Sequence, residues 1–167
     1  DGLEAEREQG RVLVGAAADA GAHVVFASAA GSFFQIGVPH VDSKHVIEQN
    51  LYQRTASRTI IRPVHFMQHF ESMAAEIRGG ELALPLDHDV PLELVDAADV
   101  GRFAAMAFAD PETFGGATFE LAGDALTLDE MADAFGDALG REVTPTSLDV
   151  SDYDVREAAG RDVAKLF

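Results

Sequence analysis

The alternation of short apolar strands with amphipathic helices is the feature that most constrains the fold of this chain. Residues 23–28 and 58–62 are short runs rich in β-branched and aromatic side chains, which is typical of buried strands. Strands separated by helices predict a parallel sheet with crossover helices on both faces, the doubly wound α/β class. Ligands of that class bind beyond the carboxyl ends of the strands, so we expect a site near residues 28–37 and 63–66.

Capping residues, glycine stops and apolar spacing locate the other elements. Asp42 or Ser43 is predicted to cap a helix, and Thr127 with Glu130 forms a capping box at the start of another. The predicted helices cover residues 3–20, 42–54, 64–78, 96–109, 127–139 and 151–167. Further strands are predicted within residues 83–94, 117–122 and 142–148. Because no linker-like segment divides the chain, we expect residues 1–167 to form a single domain.

The charge balance excludes several classes of partner. The 29 acidic residues outnumber the 12 basic ones, giving a formal net charge of −17, and this field repels nucleic acids and anionic membranes.

No run of about 18 apolar residues is present, and no signal-peptide pattern opens the chain, so we expect a cytoplasmic protein. The absence of Cys excludes disulfides and thiolate metal sites.

Five short segments, which make up four motifs, follow one another along the chain. Residues 41–48 read Val-Asp-Ser-Lys-His-Val-Ile-Glu, and residues 59–67 read Thr-Ile-Ile-Arg-Pro-Val-His-Phe-Met. Residues 95–105 begin Val-Asp-Ala-Ala-Asp-Val-Gly-Arg, residues 119–124 read Phe-Glu-Leu-Ala-Gly-Asp, and a strand ends in Ala-Ser-Ala at residues 27–29. In this order the motifs resemble the NmrA-like family of atypical short-chain dehydrogenases/reductases, over nearly the whole chain.

The resemblance implies a Rossmann-type site for NADP or NAD. In many members of the family this site supports reductase chemistry, whereas other members bind the dinucleotide as sensors or regulators without turnover. The resemblance implies cofactor contacts by Ser28, Ala29, Lys44, Pro63, Val64 and Phe66. It implies a substrate pocket lined by His65, Met67 and Phe70.

The glycine-rich loop of that family, Gly-x-x-Gly-x-x-Gly, is not found in this sequence. The chain opens on Asp1 in a helical pattern, so we expect the carboxy-terminal portion of the fold, without its amino-terminal strands. An exposed sheet edge would then favour a homodimer or other self-association. A third possibility therefore stands beside enzyme and regulator, namely a truncated paralogue that self-associates and binds no cofactor.

Lys44 and His40 are the candidate catalytic residues. Lys44 is predicted in the first turn of its helix, where a cation opposes the helix dipole, so we infer a compensating use in cofactor contact or in lowering the pKa of a proton donor. By the resemblance, His40 occupies the position where short-chain dehydrogenases usually carry Tyr, four residues before the Lys. A histidine with an ordinary pKa of about 6.5 can donate a proton near neutral pH. The alternatives are a surface lysine and a loop histidine without a role.

Three further sets of polar residues have ordinary structural explanations. Ser28 at a strand end can hydrogen-bond a carbonyl or a nicotinamide amide, or only its own loop. His65 and His69 have a spacing that can bind zinc, but no third ligand is evident and we predict no metal. Asp96 and Asp99 are expected to cap a helix, with Arg62 as a possible ion-pair partner of one of them.

The acidic residues are spread along the whole chain, which favours a surface adapted to concentrated salt over an acidic interaction tail. We therefore predict that the melting temperature falls when salt is lowered from molar to millimolar concentration, because self-repulsion is then unscreened. Thermal unfolding followed by circular dichroism over a salt series measures this. A melting temperature that does not change with salt would contradict the prediction.

Overall fold

The computed structural model describes residues 2–149. The helix predicted for residues 151–167 lies outside the described residues. The chain divides into two compact units, the first comprising Asp1–Val64 and Val95–Ala122 and the second His65–Leu94 and Gly123–Phe167. The expectation of a single domain stays a prediction.

Helices and strands alternate along most of the described chain. The helices are α1 Gly2–Asp19, α2 Pro39–Arg54, α3 Ala74–Gly79, α4 Ala97–Ala109, α5 Pro111–Phe114 and α6 Leu128–Leu139, and a 3-10 helix covers Met67–Met73. The strands are β1 Val24–Ala27, β2 Arg58–Pro63, β3 His65–Phe66, β4 Glu81–Leu84, β5 Leu92–Val95, β6 Thr118–Leu121, β7 Asp124–Leu126 and β8 Thr144–Ser147.

The first unit is built on a parallel sheet with strand order β1-β2-β6, as the sequence predicts. Strand β2 is central and almost wholly buried, which explains its β-branched run. Helices α1 and α2 pack together, and Val14, Ile47, Leu51 and Ile60 form a buried apolar cluster. In the parallel register Ala27 lies beside Ile61, so the residues that follow both strands meet at one edge of the sheet.

Helix α2 begins earlier than predicted, and neither Asp42 nor Ser43 caps it. Its first residue is Pro39, whose fixed φ suits the first helical position. The Asp42 carboxylate instead accepts a hydrogen bond from the backbone N–H of Ile36, at 2.9 Å. Lys44 consequently lies in the second turn of α2. The inference from the helix dipole is therefore wrong for Lys44, because that effect falls off within the first turn.

The second unit departs from the prediction of one helix over residues 64–78. This stretch instead contains strand β3, the 3-10 helix and α3. Residues 65–66 are a strand because β3 joins a sheet with strand order β3-β5-β7. Strands β5 and β7 are antiparallel, whereas β4 and β8 are parallel. The sequence reading missed β7 and α5, which are too short to show a hydrophobic period. The core of this unit includes Phe70, Leu82, Leu94 and Met131.

Two of the predicted helix starts are confirmed by their side-chain hydrogen bonds. Asp96 caps α4 by accepting from the N–H of Ala98, and Thr127 and Glu130 form the capping box of α6. Each cap satisfies a backbone donor that helix geometry leaves unpaired. Within residues 2–149, no helix is long and apolar enough to cross a membrane.

Candidate functional site

Four polar side chains are buried together at the carboxyl edge of the parallel sheet in the first unit. Ser28 follows β1, Ser32 lies in the loop after it, Glu48 is on α2, and Arg62 is near the end of β2. Their exposed fractions are 7%, 0%, 1% and 6%. Polar groups removed from water to this extent must satisfy one another, since an unpaired buried charge costs several kcal/mol.

The Glu48 carboxylate accepts four hydrogen bonds in this cluster. Arg62 binds it in a bidentate manner, with Nε at 3.0 Å from Oε1 and Nη2 at 2.6 Å from Oε2. The hydroxyls of Ser28 and Ser32 both donate to Oε1, at 2.5 Å and 2.7 Å. A planar guanidinium matches a carboxylate in this geometry, which fixes the orientation of both groups.

The protonation state of the pair follows from these contacts. Burial acts to raise the pKa of Glu48, but the hydrogen bonds from Arg62, Ser28 and Ser32 and the charge of Arg62 outweigh it, so this pKa lies below its ordinary value. The hydrogen bond to Glu48 raises the pKa of Arg62 above its ordinary value. The pair is therefore ionised at neutral pH and serves as a fixed charge pair.

A second polar cluster joins α1 to α2. The ammonium of Lys44 donates to Glu6, and the hydroxyl of Ser43 donates to the other carboxylate oxygen of Glu6 at 2.6 Å. Burial acts to raise the pKa of Glu6, but the hydrogen bonds from Lys44 and Ser43 and the charges of Lys44 and His40 outweigh it and lower this pKa. His40 is partly buried, and its Nδ1 is enclosed without a hydrogen-bond partner among the described residues.

The other predicted contacts of the first unit lie around the same edge. The N–H of Ser28 donates to the carbonyl of Ile61 at 2.7 Å, and the N–H of Ala30 donates to that of Pro63 at 2.9 Å. Ala29 therefore lies between two anchored residues, close to the end of β2. The structure thus brings Ser28, Ala29 and Pro63 together, with Val64 directly following β2.

The remaining predicted residues lie in the second unit. The rings of His65, Phe66, His69 and Phe70 contact one another, with centroid distances of 4.6 Å for His65 to His69 and 5.8 Å for Phe66 to His69. Met67 and Phe70 line a cavity of about 430 Å³, together with apolar residues of α3 and α6. His65 is not among the residues that line it. Within residues 2–149, no group of three or more His, Asp or Glu side chains is arranged to hold a metal ion.

The sequence reading missed the partners in both polar clusters. Arg62 binds Glu48, whereas Asp99 pairs with Arg102 on its own helix, so the pairing guessed for Arg62 with Asp96 or Asp99 is wrong. The sequence does carry one signal for the ion pair of Arg62. This arginine directly follows Ile60 and Ile61 in a strand predicted to be buried, and a buried charge needs a partner of opposite charge. Nothing local in the sequence marked Glu6.

We predict that Glu48→Gln destabilises the protein at neutral pH by about 3–5 kcal/mol, because Arg62 is left as an unpaired buried charge. The pKa of Glu48 is lower in the folded protein than in the unfolded chain, where it is about 4.3. Ionisation of Glu48 therefore stabilises the fold above the unfolded-chain pKa, and this contribution disappears as pH falls through the folded pKa. Urea unfolding of both proteins at pH 7 and near pH 3 measures the difference.

The exposed Glu112→Gln variant is the control and should unfold like the wild type at both pH values. Replacing the pair together, as Glu48→Leu with Arg62→Met, should cost less than Glu48→Gln alone, because no charge then remains buried. Equal stability of the wild type and Glu48→Gln at pH 7 would contradict the assignment.

Comparison with known proteins finds solved structures of similar fold. NmrA, a negative transcriptional regulator solved in complex with NADP, matches with a TM-score of 0.72 and 26% identity, over 85% of this chain and 48% of that one. Triphenylmethane reductase of Citrobacter sp. matches with a TM-score of 0.74 and 20% identity, over 86% and 50% of the two chains. An NADPH-dependent quinone oxidoreductase of Escherichia coli, complexed with NADPH, matches with a TM-score of 0.75 and 24% identity, over 93% and 54%.

The chain therefore spans about half the length of these solved structures. Comparison with curated protein sequences gives no significant match. The model of the NmrA-like family matches residues 2–156, which is most of the chain and includes both polar clusters. The fold is the Rossmann-like α/β fold of these neighbours, and the chain belongs to the NmrA-like family.

Proposed function

We propose that this chain contributes to an NAD(P)H-dependent oxidoreductase of the atypical short-chain dehydrogenase type. The observation that carries the proposal is the cluster of Glu6, Lys44 and His40. In it a lysine held by a carboxylate lies one helical turn from a histidine whose buried Nδ1 has no partner in the described part of the chain. Helix α2, which bears His40 and Lys44, also carries Glu48, which bonds Ser28 and Arg62 at the carboxyl edge of the parallel sheet, where ligands of doubly wound folds bind.

The residues at this edge fit the nicotinamide end of a dinucleotide. An ammonium has three donors, so Lys44 retains two for ribose hydroxyls while the third is given to Glu6. Ala29 has a small side chain and follows the buried Ser28, which lets a flat ring approach the backbone. When bound, a reduced nicotinamide supplies a hydride, and His40 is the side chain we assign to supply the proton. The NADP complex of NmrA, at 26% identity, supports dinucleotide binding.

The substrate side of the proposal rests on the second unit. The cavity of about 430 Å³ contains Met67 and Phe70 and is lined mostly by apolar side chains. Cavities of this size and character suit small apolar molecules. We therefore propose an apolar, reducible substrate for this cavity. The cofactor contact of Phe66 and the substrate contact of His65, which the family resemblance implies, stay predictions.

A regulator that binds the dinucleotide without turnover is the second candidate, because the NmrA structure at 26% identity is of a transcriptional regulator. Two measurements separate the candidates. Calorimetric titration of the purified protein with NADPH and NADH measures binding, and loss of absorbance at the nicotinamide wavelength, with a small quinone as acceptor, measures turnover. Binding with turnover supports the enzyme, whereas binding without turnover on a panel of acceptors supports the regulator.

We predict that Lys44→Met weakens dinucleotide binding at least about tenfold, because charged hydrogen bonds to the ribose are lost, typically about 1.5–3 kcal/mol. His40→Gln should lower kcat about a hundredfold while the Kd of NADPH stays the same, as expected when general-acid assistance is removed. Titration and stopped-flow absorbance measure the two effects. Gln49→Ala, an exposed change on the same helix, is the control for both. Wild-type binding by Lys44→Met would contradict the assignment of the site.

We also propose that the protein self-associates, as expected from its sequence. In the described residues β1 is an edge strand, and Leu13 on α1 is an apolar side chain with 70% of its surface exposed. Val12, beside Leu13, is exposed as well, and such adjacent apolar residues favour an interface. The cytoplasmic location expected from the sequence stays a prediction.

Sedimentation equilibrium at micromolar concentrations tests self-association, and we expect a mass twice that of the monomer. Leu13→Lys should shift the equilibrium towards monomer, because a charge would have to be desolvated in the interface. Gln9→Lys, at an exposed position on the same helix, is the control because it also adds one positive charge. A wild-type protein that sediments as a monomer would contradict the proposal. A dimer without dinucleotide affinity would instead point to a self-associating paralogue that binds no cofactor.

A further inference from the structure

We infer that Ser28 is a positioning residue, which with Ser32 anchors the loop after β1 to the buried Glu48–Arg62 pair, and that it does not donate a hydrogen bond to the ligand. The inference rests on the proposed dinucleotide site. It differs from one of the two alternatives that the place of Ser28 at a strand end left open, in which its hydroxyl bonds a carbonyl or a nicotinamide amide.

The argument begins with the single proton of each hydroxyl. Ser28 and Ser32 both donate to Oε1 of Glu48, at 2.5 Å and 2.7 Å, and their oxygens lie 3.0 Å apart. A hydroxyl has one donor, so neither serine has a second proton for a ligand. The lowered pKa of Glu48 keeps the carboxylate ionised, and an ionised carboxylate only accepts.

Burial leads to the same conclusion. The exposed fractions of Ser28 and Ser32 are 7% and 0%, and Glu48 below them is 1% exposed. A hydroxyl in this position would have to leave a hydrogen bond to a buried charge before it could donate to a ligand. That exchange is unfavourable, because hydrogen bonds to charged groups are about twice as strong as neutral ones.

The same contacts hold the loop that follows β1. Ser28 and Ser32 attach both ends of a five-residue stretch to one carboxylate, and the N–H of Ser32 donates to the carbonyl of Ala29 at 3.2 Å. The ring of His45 bonds the carbonyl of Ser32 at 2.8 Å, and the guanidinium of Arg62 lies 5.3 Å from the ring centre of Phe33. The charge pair therefore fixes the position of Ala29, which is proposed to lie against the cofactor.

The test compares Ser28→Ala with Ser32→Ala, because a donor to the ligand and an anchor of the loop make different predictions for the two. Both variants keep Glu48 and Arg62, so the charge pair remains in place. Ser57→Ala is the matched control, since it also removes a hydroxyl hydrogen bond, to His23 at 3.0 Å, before the start of β2. Hydrogen exchange of the backbone amides of residues 29–34, the Kd of NADPH and kcat with a quinone acceptor are measured for all proteins.

We expect both serine variants to accelerate amide exchange in the loop about tenfold, the factor that corresponds to losing one hydrogen bond to a charged group. Both should weaken NADPH binding by a similar factor, whereas Ser57→Ala should resemble the wild type in loop exchange and binding. A fall in kcat for Ser28→Ala with Ser32→Ala unchanged would overturn the inference, since only a direct donor behaves in that way. Loop exchange equal to that of Ser57→Ala would overturn it as well.

The failure of the proposed function has a different signature. If the wild type binds neither NADPH nor NADH, the dinucleotide site is wrong whatever the serine variants do. The exchange measurement needs no ligand, so it still decides whether the two serines anchor the loop. Loop exchange that rises in both variants while NADPH binding stays at the wild-type level would overturn the positioning role for the cofactor.

Discussion

The arrangement of the first unit depends on one buried ion pair, between Glu48 and Arg62. The pair joins helix α2 to the central strand β2, and two serine hydroxyls of the loop after β1 donate hydrogen bonds to it. Burying two charges is costly, and only dense hydrogen bonding offsets that cost. Four donors on one carboxylate provide it here, and they also determine a single arrangement for the chain segments that carry them.

The second polar cluster relates the same helix to α1. Lys44 does not oppose the dipole of α2, because the helix begins at Pro39, and its charge is balanced by Glu6 instead. A lysine restrained by a carboxylate is oriented before any ligand arrives, which lowers the entropy that binding must overcome. His40 completes this face of the helix one turn earlier. Its Nδ1 is buried and has no hydrogen-bond partner within residues 2–149.

The second unit has a different character. Its sheet contains an antiparallel pair, and its cavity is lined mainly by apolar residues of α3 and α6 and of the adjacent 3-10 helix. The histidine and phenylalanine rings after Pro63 contact one another in edge-on geometries, which aromatic quadrupoles favour. The first unit is thus characterised by buried polar side chains that are hydrogen-bonded to one another. The cavity of the second unit is lined by apolar side chains, among them Met67, whose flexible side chain can adapt its shape.

The sequence by itself determined what depends on neighbouring residues. The β-branched run of β2 and the helical spacing of α4 indicated an α/β fold, and Thr127 with Glu130 located the start of α6, because strand burial, helical periodicity and capping are local properties. The ordered motifs around Lys44 and Pro63 indicated the family for the same reason. These features need only the residue types within one or two turns of the chain.

Only the tertiary structure decided which distant residues meet. The partner of Arg62 is 14 residues away and that of Lys44 is 38 residues away, and neither separation follows from a local period. Pairing with β5 likewise made residues 65–66 a strand, where the sequence pattern favoured a helix. Strand pairing and the choice of ion-pair partners are settled by packing between segments, because there the energy of burial and of long-range hydrogen bonds exceeds local preference.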